Sequence, residues 1–177
     1  MANSVLTPNE AGAAKTEPRA GKYLVFHLGA EEFGIQVQKV REIMGVQDIT
    51  QVPQTPPHVK GVINLRGKVI PVVDLRLKFT MPAQEYTQRT CIIVVQVSVV
   101  QVSGPQSTML MGIVVDGVAE VLQIAGGDVE DTPSFGKEVE VPYVMGLAKV
   151  KGKVKILLDI DQVMTARELA RLDATAK

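Results

Sequence analysis

VKGVINLRGKVIPVVDLRLKF (residues 59–79) reads as two strands joined at Arg-Gly, with Asn64 and Arg66 inside the first. The chain writes the pattern again as VMGLAKVKGKVKILLDIDQVM (144–164), so that Gly61, Gly67 and Asp74 align with Gly146, Gly152 and Asp159 at one constant offset. A second block agrees upstream. FGIQVQKVREI (33–43) aligns with MGIVVDGVAEV (111–121), pairing Gly34 with Gly112, Ile35 with Ile113, Val40 with Val118 and Glu42 with Glu120. Two blocks matching in the same order mark an internal duplication, giving two small β units of similar shape. A unit of about five strands buries too little alone, so the two are expected to share an apolar contact.

Side chains alternate along a strand, which sets Ile63 and Leu65 against Val62, Asn64 and Arg66. The second copy keeps the apolar positions and the turn glycines but replaces Asn64 and Arg66 with Lys149 and Lys151. The fold needs what the copies share, and what differs is a candidate for function. Arg66 has two readings at this level. It is either a charge in solvent or paired internally with Asp74 or Glu42, or it lies at the seam between units, its five-donor head free for a partner's carbonyls.

The 177 residues carry 19 Lys+Arg against 19 Asp+Glu and 46% hydrophobic residues. Zero formal charge supplies no global field for gathering phosphates. The single cysteine, Cys91, lies in the apolar run TCIIVV and reads as a buried thiol. Residues 1–20 have no apolar signal segment and read as a mobile tail, and no run is long enough to span a bilayer. A cytoplasmic protein without direct membrane insertion is the expectation.

From Tyr23 the chain reads as mainly β. YLVFHLGAEEFGIQV is two strands split by Gly-Ala-Glu-Glu, and the Val/Ile runs that follow are short and bounded by Gly, Pro or Asp. Two stretches break the pattern. In QTPPHVKG, Thr55 is placed to cap one helical turn with Pro56 first. DQVMTARELARLDATAK spaces its apolar residues as a helix over 163–177, with Thr165 and Glu168 resembling a capping box. CIIVVQVSVVQVSGPQSTMLMGIVV forms a long hairpin with Ser-Gly-Pro at its tip. Val97 to Val102 there would be an aggregation-prone edge unless covered.

Catalytic motifs are missing. His27 sits in a strand run and His58 in a Pro-rich turn with no nucleophile motif beside either, and no phosphate loop, nucleophile elbow or zinc-protease motif occurs. The acidic stretch GGDVEDTPSFGKEVE (126–140) lacks the alternating ligands of a calcium loop. No cofactor or metal is expected. The alternative from another class is a small barrel binding RNA or single-stranded DNA through Lys149, Lys151, Lys153 and Lys155. Such binding uses stacking aromatics, and none stands beside those lysines.

With the duplication and the motifs V-x-x-V-x-E-I (37–43), K-G-V-x-N-L-R-G (60–67), P-x-V-D-L-R (71–76) and G-I-V-V-D-G-V (112–118) together, the chain resembles the CheW-type chemotaxis coupling (adaptor) proteins. The resemblance implies two intertwined five-stranded SH3-like barrels, the first about 21–82 and the second about 86–162, followed by the C-terminal helix. It implies a non-enzymatic adaptor joining the cytoplasmic tip of methyl-accepting chemoreceptors to the regulatory domain of a CheA-type histidine kinase. Receptor-binding positions carried over by motif are Val37, Val40, Glu42, Ile43, Lys60, Gly61, Asn64, Arg66, Gly67, Val118 and Val121. A groove with a valine floor and Glu42, Lys60 and Arg66 at its rim would hold one face of a helix, although each valine can equally be plain core.

Overall fold

The computed structural model describes residues 20–99, 107–131, 143–164 and 168. Among these residues there are eleven strands: β1 (Gly21–Leu28), β2 (Glu31–Gln36), β3 (Val40–Gly45), β4 (Val59–Leu65), β5 (Lys68–Asp74), β6 (Cys91–Val99), β7 (Ser107–Val115), β8 (Gly117–Ile124), β9 (Val129–Glu130), β10 (Val144–Val150) and β11 (Lys153–Leu158). One-turn helices α1 (Leu75–Lys78) and α2 (Ile160–Val163) follow β5 and β11, each capped by an aspartate, Asp74 or Asp159. The mainly β class and the pair of small β units are as the sequence leads one to expect, with five strands in one sheet and six in the other.

The strands fall into two sheets, ordered β3-β6-β7-β5-β4 and β8-β1-β2-β11-β10-β9. Under the duplication β1, β2 and β3 correspond to β6, β7 and β8, while β4 and β5 correspond to β10 and β11. The first five positions of the two orders then correspond strand for strand, and β9 is added to the second sheet. Registers agree as well: Val72 faces Gly112 across the parallel β5–β7 pair, and Leu157 faces Gly34 across β11–β2. Thr50, continuing from β3, bridges Val62 of β4, as Glu130 of β9 faces Leu147 of β10. Each sheet thus curls round until the chain leaving its first edge strand meets its last.

The sheets do not divide the chain at 82–86. The β1–β2 hairpin of the first copy sits in the second barrel, and the β6–β7 hairpin of the second copy sits in the first. The apolar content of these strands gives the reason. In β6, Ile92 and Val94 point into the barrel with Ile63, Ile70 and Val72, while Ile93, Val95 and Val97 point to a core shared by both barrels. In β1, Tyr23 packs with Ile124, Ala148 and Leu157 inside the other barrel, while Leu24, Phe26 and Leu28 face the shared core. A strand apolar on both faces must be covered on both. Exchange places both such hairpins in the middle of the molecule.

An aromatic stack runs through this region. Phe26, Phe33, Phe79 and Tyr143 lie ring on ring with successive centroid distances of 5.9, 5.8 and 5.1 Å. The rings are committed to each other rather than open to bases.

Two expectations need correction, and a third finds its condition met. Thr55 caps no helix: its hydroxyl donates to the Val52 carbonyl at 3.0 Å, and residues 53–58 form turns. Cys91 is half-buried rather than buried, its thiol directed to the Arg89 carbonyl. Val97 and Val99 do not form an exposed edge, being at most 1% exposed. The Asp161 carboxylate of α2 accepts the Ser98 N–H at 2.9 Å, and Val163 and Met164 join the core beside them. The remainder of that edge, 100–102, the Ser-Gly-Pro tip and the tail at 1–19 lie outside the described residues, as do 132–140 of the acidic stretch. Of the expected 163–177 helix, Val163 and Glu168 are described as helical. Asp161→Ala is expected to cost about 1–2 kcal/mol through the unmet N–H and to hasten aggregation on warming, followed by turbidity.

Candidate functional site

The turn that opened the sequence reading is a two-residue hairpin with both central residues at positive φ: Arg66 at 50° and Gly67 at 88°. Lys151 at 54° and Gly152 at 80° repeat it in the second copy. This geometry matches the right-handed twist of the flanking strands. Asn64 now has a local role, its Oδ1 accepting the Gly67 N–H at 2.8 Å and so clamping the turn.

Arg66 pairs with Glu42, one of the two internal partners the sequence allowed. Its Nη2 donates to Glu42 Oε1 at 2.7 Å and its Nη1 to Oε2 at 3.3 Å. The pair joins the β4–β5 tip to β3, the two ends of the first sheet, and is a surface feature, the Arg66 side chain being 72% exposed. The guanidinium holds the Glu42 carboxyl below the usual carboxylate range, and Glu42 in turn raises Arg66. Beneath it opens a pocket of about 460 Å³ lined by Arg41, Lys68, Leu65, Val94 and Leu110. All of these belong to the first barrel, so Arg66 stands at that barrel's end rather than at the seam. Among the described residues no ion pair joins Lys151 to Glu120, the corresponding positions of the second copy.

The other candidate residues separate into groups. Val37, Val40 and Val118 are half-buried against the shared core. Ile43 and Val121, which correspond under the duplication, are exposed at 44% and 54%. Val69 and Val154 form a second such pair, at 40% and 44%. Lys60 lies near the opposite end of β4 from Asn64, its ammonium 5.9 Å from the Tyr86 ring centroid. Gly61 is buried, and a Cβ there would stand 2.0 Å from the Thr50 carbonyl oxygen. The structure therefore brings Glu42, Asn64, Arg66 and Gly67 together, gathers three valines at the shared core, and leaves Lys60 and Gly61 elsewhere on β4.

Sequence reasoning gave no role to Arg76 and Asp116, although both stand in its motifs. Arg76 Nε and Nη2 each reach Asp116 at 2.9 Å, Arg76 Nη1 donates to the Pro82 carbonyl, and Asp116 also accepts the Gly29 N–H at 2.7 Å. This cluster ties α1, the β7–β8 junction and the β1–β2 turn. At the equivalent place in the other copy, Asp161 of α2 meets Lys39 of the β2–β3 turn at 2.7 Å. The two straps join corresponding segments with the charges reversed: Asp161 stands where Arg76 does, and Lys39 lies one residue beyond Gln38, the counterpart of Asp116. A carboxylate and a guanidinium at corresponding points of a duplicated pattern were the available signal.

Elsewhere, Lys155 is 4% exposed and donates to Glu32, its neighbour across the parallel β11–β2 pair. Lys149 lies 3.9 Å from Glu130. The row of alternating lysines is therefore broken: one is buried and paired, and four of the described aromatics, Phe26, Phe33, Phe79 and Tyr143, are stacked on one another. His58 Nε2 lies 2.8 Å from Glu168, which also accepts from Lys78 at 3.0 Å, fastening Glu168 to the first copy. Among the described residues no helix is long and apolar enough to cross a membrane.

Comparison with known proteins gives consistent findings. The family model described as CheW-like domain matches residues 22–168. The chain is 36% identical to a chemotaxis protein CheW of Klebsiella aerogenes, over 94% of this chain and 98% of that one. It is 34% identical to the Rhizobium meliloti chemotaxis protein CheW, over 88% and 96%. The crystal structure of the scaffolding protein TtCheW from Thermoanaerobacter tengcongensis superposes with a TM-score of 0.70 at 30% identity, covering 81% of this chain and 92% of that one.

Proposed function

The chain belongs to the CheW-like domain family, and from that premise we propose that it is a non-enzymatic adaptor in chemosensory signalling. It joins the cytoplasmic tip of methyl-accepting chemoreceptors to the regulatory domain of a CheA-type histidine kinase, in the cytoplasm beneath receptor arrays. The observation that carries the reading is the Arg66–Glu42 pair, which decorates one end of one barrel and has no equivalent at Lys151 and Glu120 in the other. Two copies that agree in core and turn but differ in surface charge suit a body with distinct docking faces.

Val37, Val40 and Val118, backed by the shared core, supply a rigid apolar lining, and Ile43 and Val121 supply exposed apolar contact. Glu42, Asn64, Arg66 and Gly67 form the polar part. Gly61 supports the site by letting β4 close against the chain leaving β3, and Lys60, next to it on β4, lies over the Tyr86 ring. An adaptor of this kind needs no chemistry of its own. It transmits a coupling free energy between two bound proteins, and a body whose barrels share one core keeps the two faces in fixed relation.

Arg66→Ala is the test. Its guanidinium is largely in solvent, so the melting temperature should stay within a degree or two, roughly the noise of a neutral surface change. Kinase activation in a reconstituted receptor array should fall on the order of tenfold, as for loss of one interface anchor. Unchanged activation with unchanged folding would remove Arg66 from the docking site.

A further inference from the structure

The exchange of hairpins has a consequence for how the chain meets itself. Residues 20–81 supply β1–β5 and α1, and residues 90–164 supply β6–β11 and α2. Neither half contains a complete barrel. The first barrel takes β6 and β7 from the second half, and the second takes β1 and β2 from the first. The contacts between halves include both parallel strand pairs, the shared core, the Arg76–Asp116 and Lys39–Asp161 straps and the Lys155–Glu32 pair. Covalently, the halves are joined by residues 82–89, which form no strand or helix and are exposed throughout. The segment touches both halves: Pro82 meets Arg76 and Tyr86 meets Asp74 in the first, while Thr87 bonds Thr90 and the Arg89 carbonyl accepts from the Cys91 thiol in the second.

We propose that the chain exchanges whole halves with a second copy of itself, residues 82–89 acting as the hinge, to give a dimer of two composite bodies. Every contact between halves is satisfied equally by a half from the same chain or from another, so only the path of the linker distinguishes the two forms. Intramolecular closure is favoured by the high effective concentration a short linker confers. Intermolecular closure gains ground when chains fold at high concentration, as in other exchanges of identical elements. The dimer presents each surface of the monomer twice, on two bodies tethered by two linkers. This inference rests on topology alone and stands whether or not the adaptor reading holds.

A protease recognition sequence inserted between Ala83 and Gln84 of the full chain provides the test. Native mass spectrometry of the nicked monomer should show one particle retaining one half of each kind. Isotopically heavy and light full chains, unfolded and refolded together at high concentration, should yield a dimer fraction. Nicking that isolated dimer should produce particles of monomer mass, each with a heavy half joined to a light half for the mixed species. Nicked heavy and light monomers mixed for the same time serve as the control and should stay unscrambled. The proposal is overturned if the nicked monomer falls apart, if refolding gives no dimer, or if the dimer keeps its mass after nicking, as a face-to-face dimer would.

Discussion

Gly61→Ala should destabilise the protein by about 3–5 kcal/mol, the sum of a strained backbone and a steric clash that cannot be relieved locally. Gly61 has φ of +142°, a region side chains rarely adopt, and its missing Cβ would lie 2.0 Å from the Thr50 carbonyl oxygen and 3.0 Å from the Gln51 Cα. Both neighbours are backbone and cannot rotate aside. Thr50 and Val62 exchange two hydrogen bonds of 2.9 Å, which close the free edge of β4 against the chain leaving β3. Pushing Thr50 away breaks both and opens the first barrel. Gly67→Ala, at φ +88° with nothing within 4 Å, should cost only about 1 kcal/mol. Chemical denaturation of the two variants checks the contrast. Any loss of receptor coupling in Gly61→Ala would then report an opened barrel rather than a lost contact.

Asp116→Ala should cost about 3 kcal/mol, the lower part of the range for removing one partner of a sheltered ion pair. The Arg76 side chain is 12% exposed and that of Asp116 28%. The substitution strands the Arg76 guanidinium and the Gly29 N–H together. Burial pushes the Asp116 carboxyl up, but hydrogen bonds from Arg76 and from the Gly29 N–H outweigh it and hold the group below the usual range. A carboxyl lowered in the fold contributes stability that is present above its unfolded pKa and lost as pH falls through the folded value. The gap in stability between wild type and Asp116→Asn should therefore be widest near neutrality and close on acidification. Asp159, which burial pushes up, acts in the opposite sense: its contribution is present at low pH and lost as pH rises through its folded value. A gap that stays constant from pH 7 to about pH 3, below the ordinary aspartate pKa, would show that the carboxylate charge is not what matters.

The duplication was legible because glycines and aspartates needed for turns, close approach and caps recur in fixed order. Gly34 and Gly112 both face a side chain of the adjoining strand, and Asp74 and Asp159 both cap a helical turn. Exchange of the hairpins was not legible from periodicity. Unbroken apolar runs such as CIIVV tell that both faces are covered, but not by which strands. The family resemblance supplied the word intertwined, and the pairing of β2 with β11 and of β7 with β5 gives it content.

The candidate site was legible in part. Glu42 was one of two partners available to Arg66, and the other, Asp74, is taken up by the Arg76 N–H and the Tyr86 hydroxyl. Asn64 was read as a difference between copies, yet its amide is spent on its own turn. Gly61 entered by motif and turns out to be a position where backbone meets backbone. The edge at Val97 and Val99 was legible as needing a cover, but which residue supplies it was not, because Asp161 lies far along the chain. Long-range partners of this kind leave no local trace.

The most direct measurement is sedimentation of assembled receptor cytoplasmic fragments with the kinase's regulatory domain, in the presence and absence of this chain. The kinase domain should sediment with receptor only when the chain is added, and Glu42→Lys should release chain and kinase domain together while leaving their binary complex intact. Kinase domain that sediments equally without the chain, or a chain that binds neither protein, would contradict the adaptor account.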